Sequence, residues 1–545
     1  MPSTLLLLLW LLAAMVTSPM ATAEYGIQLE HMASLKVPVY TKDGDPVYRF
    51  GQGAVNKISY DAGGKHIHYA DARKPRGLRI MGRTSLTEMT FYDVEACGDH
   101  VIATYTSSNK SGVLIANAFN EATGFQVLKY QPVYDAGDPL SLQVTSDCQK
   151  VVITVDGKAF WDGVVFTDPR PAVVIVSIPA MLQREATDEE AVFVQDFKDL
   201  DERTEELMAD GVRFPMEGKI GSFSQDLDPR DVTIDDITRK AYVTLQLNNA
   251  VVEVDLDSGN ITRVTSLGLK DWRDLTIDVC DDDGVKFQRH PIYTFYQPGA
   301  ISLARHSGAT YLLTANTGAK RDYSHIIYWT EDRTGRDIVK ENMVAGSVEP
   351  KLLNALANET QLGSLRFTIF NGYDDAKEKG MTRFIAFGSR SFSIRTLPDL
   401  DIVYDSGSDV EKRVAQNIGD VFNAQINRGP DILRYERDKT SVEKGPEPLS
   451  ITSGRLGSLT LIFVGLARPG GVLVYSMPVG TEAPKFETFW ISIEDALKSW
   501  DELYTEDTLA GIEVRTGTRN RDTRTLAPGG RCKERNSDDA KSSRK

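Results

Sequence analysis

Apolar runs of about five residues, separated by Gly, Asn and Asp turns, recur along most of the chain. Each run either alternates apolar with polar positions or is apolar throughout, as expected of strands buried on one or both faces. One unit is Lys57 to Tyr60, a turn at Asp61-Ala62-Gly63-Gly64, then His66 to Ala70. Others are Val101 to Tyr105 with Gly112 to Asn117, and Val151 to Val155 with Ala172 to Ile178. The clearest begins at Asp231 to Ile234 and continues through Lys240 to Leu245, Ala250 to Leu256 and Ile261 to Leu267, with tight turns at Asn248-Asn249 and Asp257-Ser258-Gly259-Asn260. Later units are Tyr311 to Ala315, Phe384 to Ile394 and Leu459 to Tyr475, the last folded back at Pro469-Gly470-Gly471.

Units of four strands spaced by about 50 residues are what propeller blades require. The pattern therefore predicts an all-β chain, a single β-propeller of six or seven four-stranded blades over residues 24–490. The competing architecture, two β-sandwiches, requires a Pro/Gly/Ser-rich linker in mid-chain, and none is spelled out. Helical periodicity is confined to inserts such as Glu185 to Asp210 and Ile493 to Leu503. Residues 491–514 are expected to be helical or irregular.

The two ends read differently from the body. Leu5 to Val16 is apolar but short for a bilayer span, and Ala21-Thr22-Ala23 supplies small residues for cleavage. Residues 1–23 are therefore expected to be a secretory signal peptide, although no Lys or Arg precedes the apolar run. Residues 515–545 hold ten Lys/Arg against four Asp/Glu, leaving about −21 of the chain's −15 net charge on the remainder. A solvated, disordered basic tail is the ordinary reading; contact with anionic matrix or lipid is the sharper one. No second apolar segment and no GPI-type tail are seen. So acidic a body attracts cations, and nucleic acid is not an expected partner.

Four cysteines are too few for a disulfide scaffold. Cys97 and Cys148 occupy similar turns before β-rich runs, so among the three connectivities open to Cys97, Cys148, Cys280 and Cys532 that pair is favoured. Asn109, Asn260 and Asn358 begin N-glycosylation sequons. Secretion, glycosylation and a disulfide agree with one another.

Several phrases resemble the mesenchyme-specific cell-surface glycoprotein family of biomineralising animals, whose bacterial members are choice-of-anchor propellers. They are Ala241 to Gln246 with Asn248-Asn249-Ala250, Leu267-Gly268-Leu269-Lys270-Asp271, Tyr296-Gln297-Pro298 and Thr314-Ala315-Asn316. Phe387 to Ile394, Asp405-Ser406-Gly407, Lys444 to Pro448 and Gly465 to Tyr475 follow in the family's order. The resemblance implies a secreted or surface propeller of mineralised matrix with no shared reaction chemistry. It also implies acidic residues on one face, where this chain has Leu247, Gly299, Thr317, Ala319, Leu449 and Ala467. A further acidic stretch is reduced to Asp374-Asp375 and interrupted by Lys377 and Lys379. A channel poorer in cation ligands is expected, and the closing segment beyond Trp490 is not recognisable.

One acidic loop remains, Asp278-Val279-Cys280-Asp281-Asp282-Asp283-Gly284. Hard cations take several oxygens at short spacing, with Gly letting the chain wrap the ion. Asp278, Asp281 and Asp283 are the candidate Ca²⁺ ligands, against an ordinary solvated acidic turn; the loop lacks the EF-hand pattern. His66 and His68 share a strand face and have no accompanying ligands. Arg321 and Arg390 are candidates for binding phosphate or carbonate, or else structural partners of Asp322 and Asp405. The motifs of zinc proteases, serine hydrolases and P-loop enzymes are absent. The expected function is that of a non-enzymatic extracellular-matrix or cell-surface-associated glycoprotein of mineralising tissue, binding Ca²⁺, mineral or matrix proteins. The alternative is a metal-dependent propeller hydrolase acting on phosphoesters, which requires clustered carboxylates to hold the metal and activate water.

Overall fold

The computed structural model describes residues 89–491 with breaks at 109, 118–125, 136, 162, 184–187, 217–220, 282–283, 375–378 and 426–431; it adds residue 497 and the backbone of short strands within 27–69 and 512–534. The candidate signal peptide and most of the basic tail lie outside the described residues. Within the tail, backbone strands at Thr523–Leu526 and Cys532–Glu534 pair in series with Ile512–Thr516, which pairs with Ile27–His31.

Strand is the dominant element, and the chain is all-β with a few short helices. Five four-stranded antiparallel sheets follow one another. The first is β1 (Thr90–Cys97), β2 (His100–Ser107), β3 (Lys110–Asn117) and β4 (Val127–Tyr134). The second is β5 (Asp138–Val144), β6 (Lys150–Asp156), β9 (Ala172–Ser177) and β10 (Val192–Gln195), with a hairpin of β7 (Phe160–Trp161) and β8 (Phe166–Thr167) inserted after β6. The third is β11 (Pro229–Asp235), β12 (Lys240–Leu245), β13 (Ala250–Asp255) and β14 (Ile261–Ser266).

A five-stranded sheet then starts with β15 (Leu269–Asp271) and β16 (Tyr293–Phe295). The fourth four-stranded sheet is β17 (Ala300–His306), β18 (Ala309–Ala315), β24 (Phe392–Arg395) and β25 (Ile402–Asp405). Between β18 and β24 lies a long insert carrying β19 (Asp322–Tyr323), β20 (Trp329–Thr330), β21 (Asp332–Thr334), β22 (Arg366–Thr368) and β23 (Ile385–Ala386). The last three complete the five-stranded sheet in the order β15-β16-β23-β22-β21. The fifth is β26 (Pro448–Leu456), β27 (Leu459–Leu466), β28 (Val472–Pro478) and β29 (Lys485–Trp490).

The second and third strands are buried along most of their length, as their unbroken apolar runs require; Val151, Val152, Ile153, Val155 and Ala172 to Val174 are wholly inaccessible. Apolar side chains of neighbouring sheets meet face to face. Ile102 and Val113 pack with Val151 and Val174, Val152 and Val173 with Val243 and Val252, and Leu313 and Ile394 with Ile462 and Val464.

The first strands of the five sheets are joined in series by side chains that reach the next backbone. Asp93 accepts from the Leu142 amide at 2.8 Å and Glu95 from that of Val144 at 2.7 Å. Gln143 Oε1 accepts from Ile234 N at 2.6 Å, Asp231 Oδ2 from Ile301 N at 2.9 Å, and Ser453 Oγ donates to the Leu303 carbonyl at 2.9 Å. Each bond satisfies a strand group that its own sheet leaves over.

One helical assignment from sequence changes, and the other, Ile493 to Leu503, lies outside the described residues apart from residue 497. After α1 (Ile178–Leu182), within Glu185–Asp210, Val192–Gln195 forms the outer strand of the second sheet, beside α2 (Asp188–Ala191) and ahead of α3 (Thr204–Ala209). Its acidic neighbours mask a strand whose partners lie 16 or more residues upstream. The chain also forms α4 (Ser324–Ile327), α5 (Gly335–Lys340), α6 (Pro350–Ala357) and α7 (Asp409–Ile418), which the strand pattern did not anticipate.

Candidate functional site at the top of the sheets

Every first strand begins, and every second strand ends, at one end of its sheet, here called the top. The register pairs Asp138 with Asp156, Pro229 with Leu245, Ala300 with Ala315 and Pro448 with Leu466 there. The residues read as departures from the family's acidic face, Leu247, Gly299, Thr317, Ala319, Leu449 and Ala467, flank these strand ends. Gly299 has no room for a side chain, since a Cβ would meet Thr317 Oγ1 at 2.6 Å and Gln246 Nε2 at 3.0 Å. The top carries acid nonetheless, at positions with no common spacing: Asp156, Asp168, Asp226 and Asp228.

These carboxylates surround Arg321. The Arg321 guanidinium lies 3.1 Å from Asp226 Oδ1 and donates to the Asp226 carbonyl and, at 3.2 Å, to the Tyr323 hydroxyl. Tyr323 in turn donates to Asp168 Oδ2 at 2.7 Å. The Arg321 amide donates to Glu331 Oε1 at 2.7 Å, and the other Glu331 oxygen pairs with Arg213. Arg213 donates to the Leu247 carbonyl at 2.6 Å, and its guanidinium lies 4.1 Å from the centre of the Phe295 ring. Asn248 ties the hub together, accepting from the Asp228 amide and donating to the carbonyls of Arg213 and Asp226. Asp168 Oδ1, Arg321 Nε and Gln297 Nε2 are buried without a hydrogen-bond partner.

Burial pushes Asp226 up to about 7, with Glu331 adding to the rise and Arg321 opposing it. Asp156 is pushed up to about 8 by burial and then by the charge of Asp228. Burial works against the charge of Arg321, but Asp226, Tyr323, Asp228 and Asp168 outweigh it and hold the guanidinium ionised. The hub is a buried ion network holding more acid than base. It ties the first-strand loop before β11 to the hairpin of the second sheet and to the insert of the fourth.

Of the acidic loop's three candidate ligands, the structure describes Asp278 and Asp281. Asp278 is fully buried, its Oδ2 accepting from the Lys286 amide at 2.7 Å and closing its own loop. Arg390 donates to the Asp278 carbonyl, to Glu411 Oε1 at 2.7 Å and to the Ser441 carbonyl at 2.6 Å. Burial pushes the Asp278 carboxyl up to about 7, and the charges of Glu411 and Asp438 reinforce it. Asp281 is half-buried, and Asp283 lies outside the described residues. No group of three His, Cys, Asp or Glu able to hold a metal ion occurs among the described residues.

The partners expected of the two arginines are corrected as well. Arg321 pairs with Asp226 in place of Asp322, which faces Lys320, and Arg390 pairs with Glu411 in place of Asp405, which faces Lys270 at 2.8 Å. Both arginines are enclosed by partners from distant segments, which nearest-neighbour reading of the chain does not reach. His66 and His68 alternate along a backbone strand, Ile58–Asp61 being its partner.

Cys97, at the end of β1, and Cys148, in the turn before β6, form a disulfide between the first two sheets. Cys280 is a buried thiol donating to the Gln361 carbonyl at 3.2 Å. Asn260 and Asn358 are exposed, Asn260 in the turn before β14 and Asn358 at the end of α6; Asn109 lies outside the described residues.

The raised carboxyls set an expected pH dependence. Asp156, Asp226 and Asp278 bind protons more tightly folded than unfolded, where an aspartate titrates near about 3.9. Their stabilisation is complete below about pH 4 and is lost as pH rises through about 7 to 8. Asp257, held at about 2 by Arg239 and Lys150, acts below pH 4, and the buried His290, lowered by burial, opposes the trend only below about pH 6.5. Urea unfolding midpoints should therefore fall between pH 5.5 and pH 8.5, and Asp226→Asn should flatten the slope.

The sequence also gave no weight to residues 157–171, which form the β7–β8 hairpin at the top. Its signal was present in Phe160-Trp161 and Val164-Val165-Phe166 on either side of Gly163, a hairpin pattern too short to register beside the longer strands.

Residues 53–479 match the choice-of-anchor I domain family. A protein of Strongylocentrotus purpuratus named mesenchyme-specific cell surface glycoprotein is 30% identical over 309 residues, covering 52% of this chain and 40% of that protein. Gigasin-3a of Magallana gigas is 28% identical over 163 residues, 30% of this chain and 53% of that protein. The chain thus spans about half or less of these two relatives. A functionally unknown protein of Desulfotomaculum acetoxidans DSM 771, known by crystal structure, superposes over 87% of this chain and 93% of its own at 10% identity and a TM-score of 0.34, too low to support an argument.

Proposed function

Because the chain belongs to the choice-of-anchor I domain family, we propose that it is a non-enzymatic, secreted glycoprotein of the cell surface or extracellular matrix, built as one β-propeller of six or seven blades. The observation that carries the extracellular assignment is the Cys97–Cys148 bridge, since a disulfide joining two sheets persists in oxidising compartments and is rare in the cytosol. The exposed sequon asparagines Asn260 and Asn358 agree with it. The propeller reading draws on five consecutive four-stranded sheets whose first strands stand in series, with the Ile58–Asp61 and His66–Tyr69 hairpin as part of a further blade.

The non-enzymatic reading is supported by what the candidate residues do. Arg321, Arg390 and Asp278 are committed to bonds within the fold and are poorly placed to meet a substrate. Mineralising tissue as the setting follows from the resemblance to mesenchyme-specific glycoproteins. Ca²⁺, mineral or matrix partners would then be met by the outer acidic surface of a strongly negative chain.

The test is expression in secretory animal cells. The protein should appear in the medium, carry glycans released by peptide-N-glycosidase at Asn260 and Asn358, and show heat on calorimetric titration with Ca²⁺. Chelator-sensitive turnover of a phosphoester would overturn the non-enzymatic reading, and retention in the cytosol with reduced Cys97 would overturn the extracellular one.

A further inference from the structure

β10 forms the outer edge of the second sheet, and its Phe193 pairs across the ladder with Ile175. Ile175 packs in the core shared with the third sheet, so Phe193 stands on the face that turns toward that sheet. Beyond the core its ring overhangs the turn between β13 and β14. A Cβ at Gly259 would fall 2.2 Å from Phe193 Cε1, 2.4 Å from Cδ1 and 2.7 Å from Cζ, so the ring lies on the backbone of that residue. A side chain at this position would displace the ring, and the φ of +74° is one that glycine takes without strain. The ring is nonetheless 41% exposed.

The turn beneath the ring is held in one shape. The Gly259 amide donates to the Asp255 carbonyl at 2.8 Å, and the Asp255 amide to the Asn260 carbonyl at 2.9 Å. Ser258 donates to Asp255 Oδ1 through its amide at 2.8 Å and its hydroxyl at 2.9 Å. Lys150 of the second sheet lies 3.2 Å from Asp257, and Arg239 lies 2.6 Å from it. Asn260 follows Gly259, is exposed, and opens the sequon Asn260-Ile261-Thr262.

We propose that the innermost sugar of an N-glycan on Asn260 packs its C–H face on the Phe193 ring, covering the open aromatic at the seam between the second and third sheets. The inference rests on the secreted, glycosylated reading given above. Position selects the occupant. Adjacent Cα atoms are about 3.8 Å apart, so a sugar joined to Asn260 Nδ2 begins beside the ring that touches Gly259. The faces of an N-acetylglucosamine ring present axial C–H groups, which suit the electron-rich face of an aromatic. A protein partner is a poor match. The open part of Phe193 amounts to on the order of 100 Å², far short of the ~800 Å² per partner of a stable specific interface. A glycan on the adjoining turn would also obstruct such a partner. The packing ties β10, an edge strand of four residues, to the turn of the next sheet and shields it from solvent.

The experiment is timed release of glycans by peptide-N-glycosidase from the native full chain secreted by animal cells, each asparagine being followed by peptide mass. Release at Asn260 is expected to be about three- to tenfold faster in Phe193→Ser than in the parent, the range of one aromatic contact. Release at Asn358 should be the same in both, and Phe193→Tyr, which keeps the ring, should behave as the parent does. Hydrogen exchange gives a second reading: removing the glycan from the parent should speed exchange in β10 and in the turn at 255–260, and Asn260→Gln should already be fast there. Melting curves check folding, and Phe193→Leu replaces Phe193→Ser if that variant melts early. Equal release at Asn260 from the glycosylated parent and the variant without the ring overturns the inference and leaves the secreted reading standing. So does a bare Asn260 in a secreted chain whose Asn358 is glycosylated. Faster release at both asparagines alike in Phe193→Ser traces the effect to general loosening and overturns it too. A chain retained in the cytosol with both asparagines bare overturns the secreted reading itself, and the inference with it.

Discussion

Arg321→Ala is expected to lower the free energy of unfolding by about 3–5 kcal/mol, the cost of leaving a buried charge network without one of its members. The side chain is enclosed, and its charge is what offsets Asp226, Asp168 and Asp228. With it gone, Asp226 retains only the more distant Arg213, and Tyr323 loses the donor that orients it toward Asp168. The loss should be greater at pH 8 than at pH 5, because the uncompensated carboxyls can take up protons at the lower pH. A cycle with Asp226→Asn isolates the pair: the double variant should be less damaged than the two single losses predict, with a coupling of about 0.5–3 kcal/mol. Urea unfolding with the disulfide intact measures all four proteins. An Arg321→Ala protein within about 0.5 kcal/mol of the parent, the range of ordinary surface changes, would show that the hub does not hold the hairpin and insert to the sheets.

The second large effect is expected at the bridge between the first two sheets. Cys97 and Cys148 are 51 residues apart in sequence, and closing a loop of that length removes about 4 kcal/mol of unfolded-chain freedom in the chain-entropy account. Cys97→Ser/Cys148→Ser should therefore lose about 2–5 kcal/mol, with the damage centred on the first sheet. That sheet is the exposed part of the described series, its outer strand β4 showing Leu128 and Tyr130 to solvent. Hydrogen exchange in the double variant should accelerate in β1 to β4 and leave β26 to β29 unchanged. Uniform acceleration would mean that the sheets unfold as one unit and that the bridge acts on the whole.

The strand pattern was legible wherever a run was long and apolar. Lys240 to Leu245 and Ala250 to Leu256 can be read directly, because strands buried on both faces must be apolar at consecutive positions. Ile261 to Leu267, a half-exposed outer strand, follows from the tight turn at Asp257 to Asn260 that introduces it. Asn249 and Gly259 indeed take left-handed φ values of +54° and +74°. The similar sequence settings of Cys97 and Cys148 were visible for the same reason, since repeated sheets put equivalent turns near one another. Val192–Gln195 was missed because an edge strand half exposed to solvent has no such signature.

The ion networks were beyond this kind of reading. Arg321 was visible as a residue of interest, but its partner Asp226 is 95 residues away, and nothing in the spacing of Asp156, Asp168, Asp226 and Asp228 marks them as neighbours. The loop at Asp278 reads as a candidate cation site because carboxylates at short spacing with a following glycine suit one, and the enclosure of its first carboxylate is not part of that pattern. Folding turns Asp278 inward to its own backbone, where burial makes the protonated acid the easier form. Local pattern determines strands, turns and the compartment suited to a disulfide, since those depend on near neighbours and solvent. Which charges are enclosed together depends on segments more than a hundred and fifty residues apart, and becomes definite when the sheets stack.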